Sequence, residues 1–213
     1  MARIVSLTQA KRDPNRFTLE LDTGETLTVT VALIADYGLY SGAELDEEAL
    51  RRLRGDAERA RIRARALRIL GARAMSRAEM IKSLTSKGED EAAAEETADW
   101  LEAIGAIDDK EYAASVVRHY AAKGYGLGRI KSELHRRGIG RALWDDALAN
   151  LPEDMDGAAF DALCALLRRA PASRDRLRRA VQTLARRGFS WSEAQSAARR
   201  YIEEFGEEEL DEE

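Results

Sequence analysis

Apolar residues along the chain follow two rhythms. In the first 45 residues they alternate: Phe17, Leu19 and Leu21 in one stretch, Leu27, Val29 and Val31 in the next, with Thr23 and Gly24 between them. A period of two places each set on one face of a strand, so the pattern predicts a β-hairpin. Arg3–Ala10 supplies a third strand, and such a small sheet needs cover from the helices that follow. At Asp46 the rhythm changes. Its carboxylate, with Glu47 and Glu48, suits the unpaired N–H groups and positive dipole end of a helix start.

From there the apolar spacing is helical and repeats every fifty residues. "LTSKG" from Leu84 returns as "LHRRG" from Leu134 and "LARRG" from Leu184. Ahead of the three glycines stand Met80, Ile81 and Leu84, then Leu127, Ile130 and Leu134, then Leu177, Val181 and Leu184, each set on one helix face. A basic residue followed by glycine suits a helix C-terminus, where glycine takes the left-handed conformation without a Cβ penalty. Two residues beyond each glycine come Asp90, Gly140 and Ser190, all N-cap types, and Ser190 with Glu193 forms a capping box. The positions that follow recur as Ala94, Ala98 and Leu101, as Trp144, Leu148 and Leu151, and as Ala194, Ala198 and Tyr201. Upstream, Ile62, Ala66 and Leu67 answer Tyr112, Val116 and Val117, then Ala162, Leu166 and Leu167.

The expected organisation is therefore mainly α. A β segment over 1–45 leads through a linking helix over 46–56 to three tandem three-helix repeats, 57–106, 107–156 and 157–205, and an acidic tail over 206–213. Short helical units that cannot each bury a core pack on their neighbours, so a curved, elongated array is expected.

Composition narrows the class. The chain is 45% apolar and 34% charged, with no apolar run near the roughly 20 residues of a membrane span and no signal-peptide pattern, which reads as cytoplasmic with no membrane partner. Its one cysteine, Cys164, excludes an internal disulfide and reads as a small buried hydrophobe. The net charge of −5 hides a division. Residues 157–202 hold ten Arg against Asp161, Asp175 and Glu193, whereas "EEFGEEELDEE" from Glu203 holds eight acids and no base.

Catalytic chemistry finds little support. Asp108 and Asp109 are adjacent carboxylates, but Asp108 stands where the first helix of the second repeat must start and is read as a cap. His119 and His135 lack a partner set for zinc. Gly124, Gly126 and Gly128 follow no strand and form no phosphate-binding motif, so they read as a helix-to-helix turn with Gly128 in the first turn of the new helix. No cofactor is called for, and the chain reads as a non-enzyme. Trp100, Trp144 and Trp191 fall in the third helices, where packing between units is expected.

Arginine is the remaining signal. Arg174, Arg176, Arg178, Arg179, Arg186 and Arg187 lie on or beside the middle helix of the third repeat, and Arg129, Lys131, Arg136 and Arg137 stand at related places in the second. A basic stripe suits a phosphate backbone or an acidic protein groove. From the residues alone, a helical-repeat adaptor for some other protein is an equally open reading.

"SRAEMIKSLTSKG" from Ser76, "IDDKEYA" from Ile107 and "KGYGLGRIKSELHRRGI" from Lys123 resemble the motifs of the RecX family, regulators of the bacterial RecA recombinase. The resemblance extends over about 57–205 and is most specific in the second repeat. It implies an all-α array of three three-helix repeats that lies in the groove of the RecA filament on single-stranded DNA and restrains ATP hydrolysis and strand exchange without being an enzyme. The RecA filament is then the partner, single-stranded DNA is touched directly or through RecA, and the chain is expected to be a monomer.

Overall fold

The computed structural model describes residues 1–169 and 175–206. The chain divides into two compact units, residues 1–74 with 80–106, and residues 75–79 with those from 107 onward.

The first unit opens with strands β1 (Ala2–Ala10), β2 (Asp13–Leu21) and β3 (Thr26–Thr30), paired antiparallel with Leu7 opposite Leu19 and Leu19 opposite Leu27. Gly24, at φ +80°, makes the expected turn. Two details depart from the expected sheet. A fourth strand, β4 (Glu44–Leu45), pairs with the start of β1, giving the order β3-β2-β1-β4. The alternation also ends at Thr30: Val31, expected in a strand, begins helix α1 (Val31–Tyr37). Thr30 Oγ1 accepts the Leu33 N–H at 3.3 Å, so a side-chain cap converts a strand-like run into a helix start.

Helix α2 (Glu47–Leu70) begins on Asp46, whose carboxylate accepts the Ala49 N–H at 2.7 Å. It runs unbroken through position 57, where the linking helix and the first repeat were expected to meet. One continuous helix serves two cores. Leu50, Leu53 and Ala57 close over Ile4, Leu19, Leu21 and Val29 of the sheet, while Ile62 and Ala66 are buried further along. Leu67, expected on the inner face, is 45% exposed.

The remaining helices are α3 (Arg77–Thr85), α4 (Glu91–Ala103), α5 (Asp109–Ala122), α6 (Leu127–Arg136), α7 (Trp144–Leu148), α8 (Met155–Arg169), α9 (Arg176–Arg186) and α10 (Trp191–Phe205). The recurring "LxxxG" ends α3, α6 and α9. Gly88, Gly138 and Gly188 have φ of +88°, +69° and +90°. The N–H of the next residue, Glu89, Ile139 or Phe189, returns to the carbonyl of Leu84, Leu134 or Leu184 at 3.1–3.2 Å. That six-to-one bond satisfies a carbonyl the helix end would otherwise leave unpaired.

The third helices differ in length. Asp90 and Ser190 cap α4 and α10 with their side chains, Ser190 in the expected capping box. Gly140 has no side chain to offer, and the second repeat makes only a 3₁₀ turn (Arg141–Leu143) before the five-residue α7. In the second unit, Val116, Val117, Ile130 and Leu134 centre one core, and Leu163, Leu167, Leu184, Ala194 and Tyr201 another.

Candidate partner interface

Within the second unit, the start of one middle helix is fastened to the end of the next by the same device twice. Ser76 Oγ donates to the Arg137 carbonyl, and fifty residues on the Gly126 N–H donates to the Arg187 carbonyl at 2.9 Å. Gly128 N–H adds a 2.8 Å bond to the Gly188 carbonyl. The approach is close enough that a Cβ at Gly126 would collide with the Phe189 and Gly188 backbone, and one at Gly138 with the Ala78 side chain. The glycine cluster therefore forms the expected helix-to-helix turn, with Gly126 as N-cap of α6 and Gly128 in its first turn. Its requirement for glycine comes from a neighbouring repeat and not from a ligand.

These junctions set the two arginine-bearing helices in equivalent surroundings, so their side chains compare position by position. On α6, Arg129 and Arg136 lie on the row that contains Glu133, and on α9, Arg179 and Arg186 lie on the row that contains Thr183. Glu133 is buried, its side chain only 3% exposed, and three guanidinium groups surround it. Arg129 Nη2 reaches Oε1 at 2.9 Å, Arg136 Nη2 reaches Oε2 at 2.6 Å, and Arg137 Nε lies 3.9 Å away. On α9 the matching threonine only donates to the Arg179 carbonyl at 2.8 Å and accepts from Arg186 at 3.1 Å. The α9 row thus presents cations with no carboxylate set among them.

Two of the ten expected residues are committed elsewhere. Arg137 lies over the Tyr112 ring, donates to Tyr112 Oη and approaches Glu79 at 3.8 Å, inside a half-buried cluster completed by the 2.9 Å bond from Tyr112 Oη to Glu79. Arg176 turns back on its own repeat and donates to the Leu167 carbonyl at 2.5 and 3.2 Å. Arg187 is half-buried beside Tyr125, 5.7 Å from the ring centre. Arg129, Lys131, Arg136, Arg178, Arg179 and Arg186 are exposed, and Arg178 has Asp175 at 3.7 Å. Arg174 lies outside the described residues, as does the acidic run after Gly206.

Glu133 makes the α6 cluster sensitive to acid. Burial alone would favour its neutral form, but hydrogen bonds from Arg136 and Tyr120 and the charges of Arg136 and Arg129 outweigh that and hold its pKa below the ordinary 4.5. A lowered folded-state pKa contributes stability that is present above 4.5 and is lost as pH falls through the depressed value. Glu133→Gln should therefore flatten the acid side of the stability curve of the second unit, measured by urea melts between pH 6 and about pH 3. A parallel acid limb in the variant would place the effect on other carboxylates.

The other sequence candidates find structural places. Asp108 caps α5, accepting the Lys110 and Glu111 N–H groups at 2.9 and 3.0 Å. Asp109 does something the pairing did not suggest: half-buried, it accepts the Arg77 N–H at the start of α3 at 2.8 Å, and burial raises its pKa. His119 and His135 are exposed, and among the described residues no group of three or more His, Cys, Asp or Glu could hold a metal ion. Cys164 is half-buried against the third repeat's core, and burial raises its thiol pKa. Trp100 packs under Arg63 and Trp144 donates to the Ile139 carbonyl at 3.0 Å, but Trp191 is 59% exposed and packs on no other repeat. Sequence reasoning missed a basic concavity of the first unit, about 530 Å³, lined by Arg65, Arg68, Ile69 and Lys87. Lys87 stands fifty residues ahead of Arg137, which was the available signal.

Comparison with known proteins bears on this arrangement. The first three-helix domain of RecX matches residues 63–101 and the second matches 108–148. The regulatory protein RecX of Xanthomonas axonopodis pv. citri is 35% identical over 145 residues, which is 66% of this chain and 87% of that protein. The chain belongs to the RecX family. The regulatory protein RecX of Deinococcus radiodurans is 33% identical over 158 residues, 74% of this chain and 76% of its own length. A crystal structure of a regulatory protein RecX superposes with a TM-score of 0.69 at 29% identity, covering 92% of this chain and 98% of that one. RecX from Lactobacillus salivarius, at 24% identity and a TM-score of 0.57, shares the fold over 67% of this chain and 95% of its own. Arg129, Lys131, Arg136 and Arg137 all fall within the stretch matched to the second RecX domain. Among the described residues no helix is long and apolar enough to cross a membrane.

Proposed function

We propose that this RecX-family chain is a non-catalytic cytoplasmic regulator that binds the RecA filament on single-stranded DNA, lies in its groove, and restrains ATP hydrolysis and strand exchange. The observation that carries the reading is the recurrence of Arg129 with Arg179 and Arg136 with Arg186 on helices held by equivalent junctions within one unit. A surface that repeats suits a partner that repeats, because linked weak contacts multiply in effect. A monomer would suffice, and the exposed guanidinium groups supply contacts to phosphate or to acidic side chains.

The test is the ATPase rate of RecA on single-stranded DNA titrated with this chain. Inhibition should appear at less than one copy per RecA subunit, and none at any ratio would overturn the proposal. Replacing Arg179 and Arg186 by Ala should weaken filament binding and shallow its salt dependence by about one unit of logarithmic slope per lost phosphate contact. Arg176→Ala should leave that slope alone, since its guanidinium already holds the Leu167 carbonyl.

A further inference from the structure

Helices α9 and α10 enclose an open groove of about 480 Å³ on the third repeat. Its floor is apolar, formed by Leu177, Val181, Ala198 and Ile202, and its far end is Trp191, which is 59% exposed. Arg178 and Arg199 stand on its rim with Gln182 and Gln195, and no acidic residue lines it. An apolar trough edged by cations fits a segment with a hydrophobic anchor among carboxylates.

The chain carries such a segment. Residues 207–213 read "EEELDEE", a single leucine, Leu210, with acids on both sides. They follow Gly206 directly after α10, only four positions past Ile202 on the groove floor. Seven residues reach at most about 25 Å when extended, whereas the eleven positions from Trp191 to Ile202 rise roughly 16 Å along a helix. The length is sufficient, and tethering raises the effective concentration to the millimolar range, about where one leucine and a few exposed ion pairs can hold.

We propose that the groove between α9 and α10 is a docking site for an acidic peptide bearing one apolar anchor, and that the chain's own residues 207–213 occupy it, with Leu210 on the apolar floor and the flanking acids at Arg178 and Arg199. Occupancy withdraws Arg178 from outside partners, so the segment restrains access to the basic face of the third repeat. The inference stands independently of the RecA reading, because its test needs neither RecA nor DNA.

Trp191 is the reporter, isolated from Trp100 and Trp144 by subtracting the Trp191→Phe protein. In the full chain at low salt, Trp191 should be shielded from acrylamide. Leu210→Ala, Arg178→Gln with Arg199→Gln, or a stop after Gly206 should each shift its emission to the red and restore quenching, as should high salt for the unmodified chain. Adding the free peptide of residues 207–213 to the stopped chain should reverse the change. Equal quenching of Trp191 in the full and stopped chains would overturn the proposal. Shielding that persists in the stopped chain and grows with protein concentration would also overturn it, and would assign the groove to a second copy.

Discussion

Gly188→Ala is expected to lower the stability of the second unit by roughly 3–5 kcal/mol, the sum of a left-handed backbone penalty and an overpacked contact. The residue closes α9 at φ +90°, and an added Cβ would run into the backbone nitrogen, Cα and Cβ of Arg129, where no side-chain rotation can relieve the clash. The same shift would pull apart the 2.8 Å bond from the Gly128 N–H to the Gly188 carbonyl. Gly88→Ala is the control. It has almost the same φ, +88°, but open space around the position of a Cβ, so only the conformational penalty of about 1–2 kcal/mol should remain. Urea midpoints of the two variants separate the contributions, and equal losses would mean that the junction yields freely at Arg129.

Glu89→Ala is the second large effect, expected to cost about 3–5 kcal/mol in the first unit because it strands buried charge. Glu89 follows the glycine that ends α3, where the other repeats place the buried Ile139 and Phe189. Its side chain is 3% exposed and meets Arg61 at 2.5 and 3.0 Å and also Arg65. Arg61 holds a second carboxylate, Glu58, at 2.6 and 2.8 Å, so it keeps a partner when Glu89 is gone, whereas Arg65 does not. Glu89→Ile combined with Arg65→Ala should therefore recover most of the loss, by removing the orphaned cation and restoring the apolar contact of the other repeats. Denaturant melts of the single and double variants decide it. A double variant as unstable as Glu89→Ala would mean that the pocket is shaped for charge.

Much of this architecture was legible because its signals are local. A glycine two residues before an N-cap type marks a helix end by conformational necessity, and three such ends at one interval exposed the repeat. The β-hairpin was visible for the same reason, through alternation and Gly24. What escaped depends on contacts distant in sequence or on competition within a few residues. Strand β4 is two residues long and has no period to detect. Thr30 reads equally as a strand residue and as a helix cap until the structure shows its side chain on the Leu33 N–H.

The candidate interface was legible as composition but not as availability. Ten basic positions look alike in the sequence, yet Arg137 and Arg176 turn to internal carbonyl, carboxylate and hydroxyl groups, while Glu133 neutralises the α6 row. A glutamate in "SELHRRG" looks like surface charge, since nothing local shows that position 133 faces inward beside three guanidinium groups.

The three residues that open the middle helices, Ser76, Gly126 and Arg176, occupy one register of the repeat but do not act alike. The first two hand a hydrogen bond forward to the following repeat, whereas the third closes a loop onto Leu167 behind it. Position 176 therefore works as a terminator: a fourth unit appended in the same fashion would find its mooring already engaged. How many repeats can be strung together in this manner is decided by the identity of one side chain.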